Sequence, residues 1–97
     1  MSKVKFAASN YGVYKGDEAL TVSSSAVALA SIPTGAVNAL VTNGAEAIRV
    51  RWGTPTASVG HYLNPYSVLD LYQDDLTDVK FIRVGSSDSD IQITYFG

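Results

Sequence analysis

Val37-Asn38-Ala39-Leu40-Val41-Thr42, then Asn43-Gly44, then Ala45-Glu46-Ala47-Ile48-Arg49-Val50-Arg51-Trp52 is the stretch on which the fold depends. Asn-Gly between two alternating runs is a strong short-range signal for a β-hairpin. A two-residue loop sets Ala39 opposite Ile48 and Val37 opposite Val50. A four-residue loop from Asn43 to Glu46 sets Val41 opposite Ile48 and Val37 opposite Trp52. Both registers place Val37, Ala39, Val41, Ile48, Val50 and Trp52 on one face, whereas a three-residue loop mixes the faces and is rejected. That face is the predicted core, with Trp52 in it. Arg49 and Arg51 point outward beside Asn38, Leu40 and Thr42.

Toward the C-terminus, Val79-Lys80-Phe81-Ile82-Arg83-Val84, the polar loop 85–90 and Ile91-Gln92-Ile93-Thr94-Tyr95-Phe96 read as a second, similar pair. Short β-branched and aromatic runs recur along the rest of the chain, punctuated by Gly, Pro, Asn, Asp and Ser. The candidate strands are Val4–Ala7, Ala19–Ser23, Ala26–Ala30, Val37–Thr42, Ala47–Trp52, Ser67–Tyr72, Val79–Val84 and Ile91–Phe96. The run 24–31 favours helix by its Ala and Leu content, but it is short and ends at Ile32-Pro33, so it is read as strand. The fold class is therefore all-β: an antiparallel β-sandwich or jelly-roll-like arrangement of about eight short strands.

The N-terminal part breaks this rhythm. From Ala8 to Glu18 there is no clear alternation, and residues 1–18 read as an arm or loop segment with a possible first strand, leaving 19–97 as a single sandwich domain. Tyr11 and Tyr14 on an irregular segment suit anchoring to a neighbouring subunit or partner, because each ring is apolar while its hydroxyl still bonds.

At 97 residues the chain supports one hydrophobic core. Hydrophobic residues make up 46% and charged residues 16%, the latter well under the roughly 25% of ordinary globular proteins. Disorder is excluded, and a surface covered by neighbours is implied, so a homo-oligomer is expected. The net charge of −2 leaves no basic excess for phosphates or anionic lipid, so neither nucleic acid nor membrane is expected as a partner. The chain carries no cysteine, which removes disulfides, thiolate metal sites and cysteine nucleophiles.

Catalytic chemistry finds little support. Ser58, His61 and Asp70 are the residue types of a hydrolytic triad, but no Gly-x-Ser-x-Gly elbow surrounds Ser58, and His61 sits in a Gly/Pro-bounded loop. Residues 53–60 are glycine-bounded and hydroxyl-rich without the lysine of a phosphate loop. The clusters Asp88-Ser89-Asp90 and Asp74-Asp75 with Asp78 read as turns whose side chains bond their own backbone rather than as calcium ligands. No catalytic residue, cofactor or metal is expected, and the protein is read as a non-enzyme. Aromatic side chains offer the better surface: Tyr62 and Tyr66, with Arg49 and Arg51 beside them, are candidate contacts for a partner protein or a host glycan.

The run 47–63, followed by Tyr66–Leu71, Val79–Arg83 and Ile91–Phe96, resembles a group of small virion proteins of tailed bacteriophages, in which a Pro-Thr-Ala-Ser loop after an arginine-bearing strand precedes a Phe-Ile-Arg strand and a closing Thr-Tyr-Phe strand. The likeness covers roughly 26–97 and departs from the group at Val50, Trp52 and Asn64-Pro65. It implies a β-sandwich assembled on the particle in the host cytoplasm, with the major capsid protein or other virion proteins as partners and no catalytic residues. Capsid decoration or cementing is the leading expectation. A neck or tail component, or a carbohydrate-binding module for host attachment, is the alternative.

Overall fold

The computed structural model describes residues 12–97, so the candidate strand 4–7 and Tyr11 lie outside the described residues. Eight strands follow: β1 (Tyr14–Val22), β2 (Val27–Ala28), β3 (Asn38–Thr42), β4 (Ile48–Trp52), β5 (His61–Leu63), β6 (Val68–Tyr72), β7 (Val79–Arg83) and β8 (Ser89–Phe96), with one helical turn, α1 (Asp75–Asp78), before β7. They form two four-stranded sheets, sheet I in the order β1-β8-β3-β6 and sheet II in the order β2-β7-β4-β5. Every pairing is antiparallel. The pairs β1 with β8, β2 with β7, β3 with β6 and β4 with β5 are those of one long hairpin bent between β4 and β5. Rolling that hairpin up brings β8 beside β3 and β7 beside β4, which is a jelly roll within the all-β sandwich class expected.

Period-two alternation decides what the sandwich buries. Ala39, Val41, Leu71, Ile91, Ile93 and Tyr95 face inward from sheet I, and Ile48, Val50, Val79 and Phe81 meet them from sheet II. Leu76 of α1 is buried in the same core and closes one end of it.

The Asn-Gly hairpin does not form. β3 belongs to sheet I and β4 to sheet II, so the two alternating runs stack face to face across the core instead of pairing edge to edge. Their shared parity is kept at Ala39, Val41, Ile48 and Val50, which are buried, whereas Val37, expected on the same face, precedes β3 and is exposed. A type I′ turn needs positive φ at both central residues, and neither Asn43 nor Gly44 has it. Asn43 is instead enclosed. Its amide donates to the Glu46 carbonyl at 2.8 Å and the Asn64 carbonyl at 3.0 Å, and its Oδ1 accepts the Gly44 N–H at 2.8 Å and the Ser89 hydroxyl at 2.9 Å. Gly44 is required by close approach, since a Cβ there would run into the Asp90 carbonyl and lie 3.1 Å from Ser89 Oγ. The second expected pair is likewise split, with β7 in sheet II and β8 in sheet I. Its polar connection is tied by Arg83 Nη1 to Asp88 Oδ1 at 2.6 Å.

Sheet I also takes in part of the segment read as arm or loop. Tyr14 to Glu18 form the first half of β1 and pair with the end of β8, with a register irregularity between Tyr14 and Gly16. The alternation there was hidden because the inward residue is Glu18, a charged side chain among apolar ones. Its carboxylate accepts the hydroxyl of buried Tyr95 and the Ser31 N–H at 2.9 Å. Burial, reinforced by the bond to Glu18, raises the ionisation of Tyr95 far above the ordinary tyrosine value. The unfolded chain therefore loses this proton near pH 10 while the folded chain keeps it, so stability is full below pH 10 and falls as pH rises beyond it. The slope is at most about 1.4 kcal/mol per pH unit. Urea titrations across pH 9–11 should show that fall in the parent and a shallower one in Tyr95→Phe.

Candidate functional site

The bend between β4 and β5 puts the two short strands β5 and β6 at the same side of the sandwich, one at the edge of each sheet. The connection 53–60 that precedes β5 is held from below by arginines. Arg49 donates from Nε to the Ala57 carbonyl at 2.9 Å and from Nη1 to the Gly60 carbonyl at 3.0 Å, and Arg51 donates to the Thr54 carbonyl at 3.1 Å. Arg49 also lies over the ring of Tyr62, 5.3 Å from its centroid, because the two residues are cross-strand partners. Both guanidiniums are thus positioned by neutral acceptors, with their charge left uncompensated.

Trp52 is a correction. Although it shares the parity of Ile48 and Val50, it is 48% exposed. It sits at the end of β4, where Leu76 has already closed the core, and its indole N–H donates to Asp75 Oδ1 at 2.7 Å. The other Asp75 oxygen accepts the Tyr72 N–H at 3.1 Å, so this carboxylate links the end of sheet II to the end of sheet I. The indole meets the His61 ring edge to face at 5.9 Å. A buried indole would cost about 3–5 kcal/mol on truncation. The half-exposed Trp52 is expected to cost about 1–2 kcal/mol in Trp52→Ala, measured by urea denaturation followed by circular dichroism.

Tyr66 lies at the other end of β5. Asn64-Pro65-Tyr66-Ser67 closes with the Ser67 N–H on the Asn64 carbonyl at 3.2 Å, and Tyr66 has φ 63°. These are the marks of a type II turn, whose third position favours glycine. Tyr66 is 71% exposed. Relief of left-handed strain by Tyr66→Gly is worth about 1–2 kcal/mol, against about 0.5–1 kcal/mol of added freedom in the unfolded chain. The variant should therefore melt a few degrees higher than the parent in calorimetry.

These placements define which expected contacts meet. Arg49 and Tyr62 touch, and Arg51 lies beside them on the outer face of sheet II. Tyr66 and Trp52 stand beyond opposite ends of β5 and make no common platform with Tyr62. Tyr14 is on the far edge strand β1, its hydroxyl donating to Asp17 Oδ2 at 3.0 Å and its ring against Phe96. That hydrogen bond, with the charge of Asp17, raises the ionisation of Tyr14. Two further exposed side chains stand beside this site, Val68 and Tyr72, of which Val68 was not singled out from sequence. Their parity against buried Leu71 carries the signal.

The residues of the hydrolytic triad are not assembled. His61 stacks on Trp52 in sheet II, while Asp70 lies opposite Leu40 on the outer face of sheet I, across the core. Among the described residues no group of three or more His, Asp or Glu side chains is placed to hold a metal ion. Asp88 is paired with Arg83, Asp90 accepts the Thr21 hydroxyl at 3.0 Å, and Asp75 is engaged as above. No helix among the described residues is long and apolar enough to cross a membrane. No family model, curated protein or solved structure matches the chain.

Proposed function

We propose that this chain is a non-enzymatic structural protein of a tailed-bacteriophage particle, with decoration or cementing of the capsid as its role. The observation that carries the reading is the β5–β6 side of the sandwich. Trp52, Tyr62, Tyr66, Val68 and Tyr72 are all exposed there, in a protein with few charges to cover them. Large apolar groups exposed along two edge strands at one side of a small domain suit a surface that a partner protein covers. The likeness of 26–97 to small virion proteins supplies the setting, and a jelly roll is compatible with that setting without specifying it.

Mass spectrometry of purified particles of the phage encoding this chain tests the reading. Copies comparable in number to the shell subunit are expected. Copies amounting to a single ring would move the protein to the neck or tail, and particles without the chain would overturn the proposal.

A further inference from the structure

Asn43-Gly44 makes no hairpin turn, but the pair has a chemistry of its own. The backbone nitrogen that follows an asparagine can attack the side-chain Cγ and close a five-membered ring. Glycine in that position leaves the nitrogen unhindered and the backbone free to bend toward the side chain. Of the four asparagines only Asn43 precedes glycine: Asn10 precedes Tyr11, Asn38 precedes Ala39, and Asn64 precedes Pro65, which has no N–H to give up.

The folded chain holds every group that this reaction has to move. The Gly44 N–H donates to Asn43 Oδ1 at 2.8 Å, and the same oxygen accepts the Ser89 hydroxyl at 2.9 Å. The amide that would leave donates to the Glu46 and Asn64 carbonyls at 2.8 and 3.0 Å. Gly44 cannot swing toward the side chain, because its carbonyl accepts the Tyr66 N–H at 2.9 Å and its Cα is pressed against the Asp90 carbonyl. Asn43 is buried, so water and dissolved base do not reach it. Ser89 and Asp90 come from β8 and Asn64 and Tyr66 from the turn before β6, all distant in sequence, so the enclosure exists only in the folded chain.

We infer that Asn43-Gly44 is a site of spontaneous modification that folding shields and unfolding opens, so that the pair limits how long a chain can stay unfolded and still return. In the open chain the Gly44 nitrogen gives its proton to solvent base as the N–Cγ bond forms. The Cγ–Nδ2 bond then breaks as the amide takes up a proton and leaves as ammonia. Water adds to either carbonyl of the ring and opens it to aspartate or to isoaspartate. Nothing is oxidised or reduced, and water is the only co-reactant. Neither product fits the pocket. Aspartate turns an oxygen onto the Glu46 and Asn64 carbonyls, where two N–H groups stood. Isoaspartate lengthens the main chain by a methylene at the point where Gly44 is packed against Asp90. Conversion is therefore one-way, and each opening drains the population able to refold. The inference does not depend on the virion reading, since it concerns the purified chain alone.

Incubation of the full chain in mildly alkaline buffer, folded in one arm and unfolded in about 6 M guanidinium chloride in the other, tests it. Peptide mass spectrometry follows the amide-to-acid mass gain at each asparagine. Conversion at Asn43 should be at least about a hundredfold slower in the folded arm, because the folded chain reacts only through its rare open states. In the unfolded arm Asn43 should convert at least about tenfold faster than Asn38, whose following residue is alanine. When the denaturant is removed, the fraction that regains the native circular dichroism spectrum should fall in step with the fraction converted. A smaller ratio between the two arms, a smaller preference for Asn43 over Asn38, or converted chains that refold with the parent's denaturation midpoint would each overturn the inference.

Discussion

Asn43→Asp is expected to destabilise the protein by about 3–5 kcal/mol at neutral pH, although it changes a single atom. The Asn43 amide donates to two close backbone carbonyls, those of Glu46 and Asn64, with Leu63 a more distant third at 3.4 Å. The residue is 2% exposed. An aspartate would turn an oxygen toward those carbonyls, leaving acceptors unpaired and a charge without water. Burial raises the pKa of such a carboxyl above its unfolded value, so the charge part of the penalty is absent below about pH 4 and grows as pH rises beyond it, while the loss of one donor to the carbonyls persists at low pH. Asn43→Ala should cost less, about 2–4 kcal/mol, with no pH dependence of its own. Denaturant midpoints at two pH values distinguish the cases. An Asn43→Asp midpoint equal to the parent's at pH 7 would show that the side chain is not enclosed.

The second large effect lies in the core. Phe81→Ala is expected to cost about 3–5 kcal/mol of the roughly 5–15 kcal/mol that holds a small domain folded. Phe81 is fully buried on a central strand, with Val27 and Val50 as its cross-strand neighbours. The site cannot collapse easily because paired strands fix the backbone on both sides. Ile82→Ala, one residue along on the outer face, should cost less than about 1 kcal/mol. Equal losses from the two variants would contradict the assigned faces.

The contrast between Phe81 and Ile82 shows what alternation could reveal. Period two reports which face of a strand is covered and is silent on what covers it. Ala39, Val41, Ile48 and Val50 were therefore assigned to the core from a hairpin that does not exist, because strands stacked across a sandwich and strands paired in one sheet bury the same parity. Asn-Gly misled for a related reason: its two residues serve a buried amide and a close backbone approach, and sequence alone does not separate those uses from a turn. β5 was missed because His61 and Tyr62 are exposed and three residues carry no period. Trp52 had the right parity at the wrong place, past the point where α1 ends the core. Arg49 and Arg51 were placed outward correctly by parity, whereas their carbonyl partners in 53–60 depend on a loop path that no local pattern encodes.

The pairing of β1 with β8 sets an order of events during synthesis. β8 lies between β1 and β3 in sheet I, so until it leaves the ribosome those two strands have no common neighbour. Sheet II can begin with β4 and β5, which are close in sequence, but β2 and β7 must close a long loop before they reward it. The nascent chain thus carries an unpaired β1 edge and one unpaired edge of β3 until β8 emerges, and these are surfaces on which strands of other chains can add. Folding in milliseconds to seconds after release follows from such distant pairings. Crowded synthesis of many copies would make chaperone capture of the incomplete sheet the step that governs yield.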